Sequence, residues 1–270
     1  MFDPGLLAAF AALGLVVGFV AGLLGVGGGL IIVPVLIFIL HDAGLAGGVE
    51  AQVALGTSLA CILFTSASSV RAHHAHGAVD WALVRRIAPG VVAGTLAGAL
   101  VAAHISAYAL KLFFVIFLFY AATQMWLDFK PAPHRELPGR AGTTAAGAVI
   151  GLLSSWVGIG GGTLSVPFML FHNVSLHRAI GTSAAIGFPI AAAGAAGYLV
   201  GGWGRTDLPA ASAGFIYLPA LAGIAAGSVL TAPLGAKTAH RLPVKRLKKA
   251  FALLLYALGL RMLVGLADLA

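Results

Sequence analysis

The sequence predicts an all-helical polytopic membrane protein made of two inverted repeats, each of about five helical elements including a glycine-broken pair. Three observations carry this. The chain of 270 residues is 60% hydrophobic and 9% charged, with a mean hydropathy of +1.02, an apolar content too high and too continuous for a soluble domain. The apolar residues fall into ten runs, most near the twenty residues that span a bilayer. A glycine-rich element in the first half returns in the second.

In chain order, the first run, Leu6–Leu24, ends at a glycine cluster, and Leu30–Leu40 behind it is too short to cross a membrane. Val49–Val70, Trp81–Ala103 and Ala107–Leu127 follow at spanning length. The proline-rich, charged stretch Asp128–Arg140, "DFKPAPHRELPGR", reads as a linker. Ala141–Val157 then runs into a second glycine cluster, and a second short run, Thr163–Phe171, comes after it. Ala179–Val200, Ser212–Ala236 and Ala250–Ala267 complete the set. The expected organisation is a first membrane repeat over residues 1–127, a cytoplasmic linker over 128–140 and a second repeat over 141–270, integrated into one transmembrane domain. About eight to ten membrane segments are expected in total.

The repeat is visible in register. An offset of 133 sets "GVGGGLIIVPVL" against "GIGGGTLSVPFML", matching Gly25, Gly27, Gly28, Gly29, Val33 and Pro34 with Gly158, Gly160, Gly161, Gly162, Val166 and Pro167. An offset of 125 sets "ALGTS" at Ala54 against "AIGTS" at Ala179, and 137 sets Gly98, Lys111 and Phe114 against Gly235, Lys248 and Phe251. Such internal repeats mark many secondary transporters.

Basic residues choose the orientation. If each glycine break joins a segment that enters and one that returns, the halves are inverted. Arg71, Arg85, Arg86, Lys130, Arg135, Arg140, Arg178, Lys237, Arg241, Lys245, Arg246, Lys248 and Lys249 then share one face, against Lys111 and Arg205 on the other, 13 to 2. If each broken element crosses once, the same residues divide 8 to 7. Only the first arrangement obeys the positive-inside rule. It places both termini outside, the linker in the cytoplasm and the protein in the cell membrane. The net charge of +8 is therefore a topology signal, and no nucleic-acid partner is expected, because the basic residues are not interleaved with aromatics. Cys61 is alone, so no intramolecular disulfide can form. The N-terminus lacks a basic signal-peptide stretch and is read as part of the mature protein.

Non-helical backbone at membrane depth is tolerated only where protein buries it or it lines a cavity. The short runs beginning at Leu30 and Thr163 present helix N-termini whose amides and dipoles favour an anion. Gly27, Gly28, Gly29, Gly160, Gly161, Gly162 and Thr163 are accordingly candidate substrate contacts. Gly25, Pro34, Gly158 and Pro167 complete the structural motif. Neither cluster is a dinucleotide fingerprint, no phosphate-loop lysine follows, and no cofactor or metal is expected. Glycines at four-residue spacing, such as Gly14, Gly18 and Gly22 or Gly90, Gly94 and Gly98, are read as close helix packing. Thr57, Ser58, Thr182 and Ser183 place hydroxyls in apolar helices, where they either bond back to their own helix or donate to a substrate.

A doubled "G-x-G-G-G-x4-P" element, each copy followed by a "GTS" helix, resembles the sulfite exporter TauE/SafE family of membrane permeases, over Gly14 to Gly265. The resemblance implies a cytoplasmic-membrane transporter of small anions, often sulfur oxyanions such as sulfite or organosulfonates, coupled to the proton gradient. By position it puts the family's glycine elements on Gly25–Gly29 with Pro34 and on Gly158–Gly162 with Pro167. It puts the hydroxyl-bearing helices on Thr57–Ser58 and Thr182–Ser183. The halves differ in one connection, "HDAGLAGGVE" against the shorter "HNVSLHR", so binding need not be symmetric.

Other polar residues compete for roles. His73, His74 and His76 read as a solvated loop end more readily than as a metal site or a proton relay. His177 and Arg178, just before the second GTS, are candidates for an ion path, with topology charge as the competing reading. Arg261, inside the last run and aligned with Gln124, is either part of that path or a side chain snorkelling to the surface. Trp156 either walls a cavity or packs. The expected function is a secondary-active carrier of a small anion working by alternating access, with the lipid bilayer and a further copy of the chain as the other partners. An anion channel, an intramembrane enzyme and an assembly factor are the alternatives. No Asp or Glu lies centrally in a span to support catalysis.

Overall fold

The computed structural model describes residues 4–24, 28–128, 136–239 and 244–267. The ten apolar runs become ten helices: α1 (Pro4–Leu24), α2 (Gly29–Asp42), α3 (Glu50–Ala75), α4 (Trp81–Ala102), α5 (Ala107–Leu127), α6 (Arg140–Val157), α7 (Gly162–Phe171), α8 (Leu176–Gly201), α9 (Leu218–Ala239) and α10 (Val244–Ala267). Seven, α1, α3, α4, α5, α8, α9 and α10, are long and apolar enough to cross a bilayer. The two short helices, α2 with 14 residues and α7 with 10, are the ones that follow the glycine clusters.

Local signals set several boundaries. Asp80 caps α4 by accepting the Leu83 amide at 3.0 Å, and Ser106 caps α5 by accepting that of Ala109 at 3.3 Å. The expectation of a helical run from Ser212 is corrected. Ser212–Ala213 pairs antiparallel with Ile216–Tyr217 in a small hairpin, β1 and β2, and α9 begins only at Leu218. The chain turns there through positive φ at Ala211 and Gly214, and Gly214 lies directly on the Leu199 carbonyl, where any side chain would collide. Ahead of the hairpin, Arg205 grips Asp207 with two hydrogen bonds, at 2.9 and 2.6 Å. That contact holds the exposed carboxyl below its ordinary range.

The halves pack by exchange. α1 lies along α9 and α6 along α4, while α3 crosses α8 and α5 lies along α10. α4 meets α8 as α9 meets α3. Swapping the first five helices for the last five maps every one of these pairs onto another or onto itself. The register repeats as well. A Cβ on Gly14 would lie 2.5 Å from the Ile224 carbonyl oxygen, and one on Gly147 would lie 2.5 Å from that of Ile87. Gly18 faces Ser228 as Gly151 faces Val91, and Gly235 faces Phe19 as Gly98 faces Leu152. These offsets are the 133 and 137 found in the sequence. The four-residue glycines thus let backbones touch, which is how helices associate where lipid removes the hydrophobic drive.

The two GTS sequences clamp this exchange. Thr57 on α3 accepts the backbone amide of Tyr217, the residue before α9, at 2.9 Å. Thr182 on α8 accepts that of Asp80, the residue before α4, also at 2.9 Å. The neighbouring glycines make room, since a Cβ on Gly56 would lie 2.6 Å from the Phe215 carbonyl oxygen and one on Gly181 2.5 Å from that of Ala78. Each GTS therefore fixes the entry of the other half's fourth helix, satisfying an amide that would otherwise be buried without a partner.

Two outcomes follow. Gly94→Leu, which drives a side chain into the Ala148 backbone between α4 and α6, is expected to destabilise by about 1–3 kcal/mol or more, whereas Gly47→Leu, with open space around it, is neutral; thermal unfolding in detergent measures both. Thr57→Val strands the Tyr217 amide and is expected to cost about 1–3 kcal/mol. An unchanged melting temperature would remove the clamp from this description.

Candidate functional site

The second glycine element is described throughout. α6 ends where the Ser154 carbonyl accepts both the Gly158 amide, at 2.9 Å, and the Ile159 amide, at 3.2 Å. Gly158 adopts φ 68°, the left-handed cap that only glycine takes without strain. The chain reverses through Gly161 at φ 78°, and α7 begins at Gly162. Leu164 and Ser165 both donate to the Gly161 carbonyl, at 3.0 and 2.8 Å. The amides of Gly162 and Thr163, one residue earlier, find no acceptor among the described residues, and no side chain caps the helix. Pro167 has no amide to offer the Thr163 carbonyl four residues back. The doubled motif therefore produces a short helix with free donors at its start and a loosened first turn.

In the first element, Gly28 caps α2 and its carbonyl accepts the amides of Ile31 and Ile32, both at 3.0 Å, with Pro34 in the same place within the helix. Gly25 and Gly27 lie outside the described residues. The elements meet: Gly29 is pressed against the Gly158 carbonyl so closely that a Cβ would overlap it. Ser58 on α3 donates to that same carbonyl at 2.8 Å while fully buried. Gly160 packs toward α3 and α8, with Ile62 3.3 Å and Gly187 3.8 Å from where its Cβ would stand.

The candidate residues thus separate into groups. Gly28, Gly29, Gly158, Gly160, Gly161, Gly162 and Thr163 come together around the junction of the two elements. Ser58 joins them by covering a carbonyl, not by presenting a free hydroxyl. Ser183 accepts from Ser165 of α7 at 2.8 Å, so it ties α8 to α7. Thr57 and Thr182 hold the amides described above. All four hydroxyls thus have partners on other elements, Ser58 as a donor and Thr57, Thr182 and Ser183 as acceptors.

The ion-path candidates lie elsewhere. His177 and Arg178 are exposed at the start of α8, where Arg178 stands 4.0 Å from Asp80. Arg261 is exposed, with its guanidinium 4.4 Å above the Phe38 ring, nine residues along α2 from Gly29, or about 14 Å at helical rise. Gln124 is half-buried near the end of α5, where its carbonyl caps the chain at Asp128. Trp156 packs: its indole donates to the Gly98 carbonyl at 2.9 Å and meets Phe113 edge-on. His74 accepts from the Trp81 indole at 3.1 Å.

Sequence reasoning passed over three features. Ser154, in the last turn of α6, has its hydroxyl beside Gly161 and without a partner among the described residues. Thr95 on α4 is likewise buried with its hydroxyl unpaired. Glu50, the first residue of α3, is buried with Lys111 of α5 at 3.3 Å, in the longer connection that the second half lacks. Pairing is what lets both charges be buried. Only the unequal connection lengths hinted at this pair.

Residues 10–262 match the sulfite exporter TauE/SafE family model. The chain is 37% identical over 251 residues to a probable membrane transporter protein of Haemophilus influenzae, covering 92% of this chain and 95% of that one. It is 31% identical to the probable membrane transporter protein YunE of Bacillus subtilis, over 70% of this chain and 77% of the relative. A probable membrane transporter protein of Methanocaldococcus jannaschii is 27% identical over 93% of both. No solved structure matches the chain. With the glycine elements in place, seven helices long and apolar enough to cross a bilayer and the match running almost end to end, the chain belongs to the sulfite exporter TauE/SafE family of multi-pass membrane proteins.

Proposed function

We propose that this transporter is a secondary-active carrier of small anions, with sulfur oxyanions such as sulfite or organosulfonates as cargo, coupled to protons and working by alternating access. The observation that carries the reading is the start of α7, where two amides without an acceptor among the described residues and a helix dipole adjoin a glycine junction contacted by both halves. Oriented amides at a helix N-terminus bind anions without a counter-charge, and half-helices meeting at an internal repeat are where such carriers hold substrate. The exchanged contacts of the halves, together with the 13 to 2 division of basic residues, support inverted repeats with both termini outside and the linker in the cytoplasm of the cell. In this arrangement the two elements approach from opposite leaflets, and movement of one half against the other exposes the junction to each side in turn.

Purified protein in proteoliposomes tests this with a panel of sulfite, organosulfonates, sulfate and neutral analogues under an imposed pH gradient. Saturable anion flux that responds to the gradient is expected, whereas a strict requirement for a cation or a neutral solute would refute the anion reading, and large unitary currents would make the protein a channel. Gly161→Val, which places a branched side chain at φ 78° and against Ile190, is expected to lower that flux by at least about a hundredfold, the scale set by losing close substrate placement. Gly160→Ala, with its nearest neighbour at 3.3 Å, should still insert and fold, so that its flux separates a site effect from misfolding.

A further inference from the structure

The two-fold exchange carries α4, α6 and α7 onto α9, α1 and α2, but it does not carry all of the chemistry, and three of the polar positions without a polar counterpart are buried hydroxyls that lack a partner among the described residues. Thr95, Ser154 and Thr163 are 0%, 0% and 8% exposed, and none of their hydroxyls has a hydrogen-bond partner among the described residues. By the offsets that the packing confirms, their counterparts are Ala232, Ala21 and Leu30, which are apolar. Two of the hydroxyls lie along one face of α6, and the third belongs to the first turn of α7. The Thr95 oxygen lies 2.6 Å from where a Cβ on Gly151 would stand, and Ser154 is one turn further along the same face of α6, about 4.5 Å at helical rise. The Ser154 oxygen in turn lies 3.7 Å from the Cβ position of Gly161, the residue that caps α7, and Thr163 belongs to the first turn of that helix.

A buried hydroxyl without a partner is unfavourable, and in an apolar helix it ordinarily bonds back to a carbonyl of its own turn. Ser155 does this, donating to Leu152 at 2.7 Å. Its neighbour Ser154 does not, and it stands beside Gly161, which leads into two amides of α7 with no acceptor among the described residues. The two short helices differ in the same sense. α2 is mostly buried, whereas Gly160, Gly162, Leu164 and Val166 in and before α7 remain half-exposed. Ser58 adds to the effect by covering the Gly158 carbonyl, which removes an acceptor that would repel an anion.

We propose that Thr95, Ser154 and Thr163, with the first-turn amides of α7, form one asymmetric subsite that holds the oxygens of a small oxyanion through uncharged donors. The scaffold is two-fold, and the polar subsite is single. This rests on the carrier reading above and assigns its cargo contacts to the second glycine element. Sulfite flux in proteoliposomes tests it with Ser154→Ala, Thr163→Val and Thr95→Val, and with Ser155→Ala as the comparison. KM is expected to rise about tenfold or more for Ser154→Ala and Thr163→Val, the usual scale for a lost hydrogen bond to a charged group. It should stay within about twofold for Ser155→Ala, whose hydroxyl serves its own helix. Thermal unfolding without anion should leave Ser154→Ala at least as stable as the parent, since no bond within the protein is lost; a clear drop would make Ser154 a structural residue and overturn the assignment. Unchanged KM in both variants, with sulfite still carried, would overturn the subsite and leave the carrier reading intact. A parent protein that carries a neutral solute but not sulfite would refute the anion reading and the oxyanion subsite together, and a KM still sensitive to Ser154→Ala would then make Ser154 a contact of the neutral cargo.

Discussion

A polypeptide that stops being helical at membrane depth must satisfy its own amides and carbonyls, because hydrocarbon offers none of the hydrogen bonds that water would. Most of this structure can be understood as the response to two such stops. At the second, the Ser154 carbonyl receives two amides, the Ser58 hydroxyl covers the Gly158 carbonyl, and Gly29 approaches closely enough to exclude anything else from that face. Among the described residues around this junction, what remains unmatched is the amides that open α2 and α7 and the hydroxyls of Thr95, Ser154 and Thr163. Backbone left open in a membrane is costly unless a ligand or water completes it, which is the physical ground for the proposed cargo site.

The same constraint explains why the halves are interleaved and not merely placed side by side. Each GTS helix supplies the acceptor for the amide ahead of the other half's fourth helix, and each first helix lies in a glycine groove on that fourth helix. Neither half could close its own polar backbone alone. A carrier needs two stable arrangements of packed surfaces, and an exchanged pair joined through small-residue contacts offers surfaces that can slide without large side chains interlocking. Within that symmetric frame, polar groups at Thr95, Ser154 and Thr163 stand where the partner half has alanine and leucine.

Much of this was legible in the chain. Ten apolar runs became ten helices, the two short ones fell behind the glycine clusters, and the four-residue glycines proved to be backbone contacts, because hydropathy and residue size act locally and leave their mark in sequence. The GTS hydroxyls were legible as important but not in kind, since their partners, Tyr217 and Asp80, are 160 and 102 residues away. The hairpin before α9 was hidden inside an apolar run, as Ile216 and Tyr217 suit a buried strand and a helix equally well. Ser154 and Thr95 gave no signal at all, for a hydroxyl in a span is ordinary until its missing partner is seen. Arg261 drew attention as an intramembrane charge, yet its guanidinium reaches an aromatic face at the far end of α2.

The central claim is that the junction before α7 is the place where cargo meets backbone. Thiol labelling tests it most directly. The chain's one cysteine, Cys61, is buried, so a Cys61→Ala background carrying Gly160→Cys has a single thiol at the half-exposed edge of the junction. In membrane vesicles that thiol should react with a water-soluble maleimide, and an organosulfonate should slow the reaction in a saturable way, while a neutral analogue should not. A thiol that stays unreactive from both sides, or one that reacts at a rate indifferent to the anion, would contradict the account.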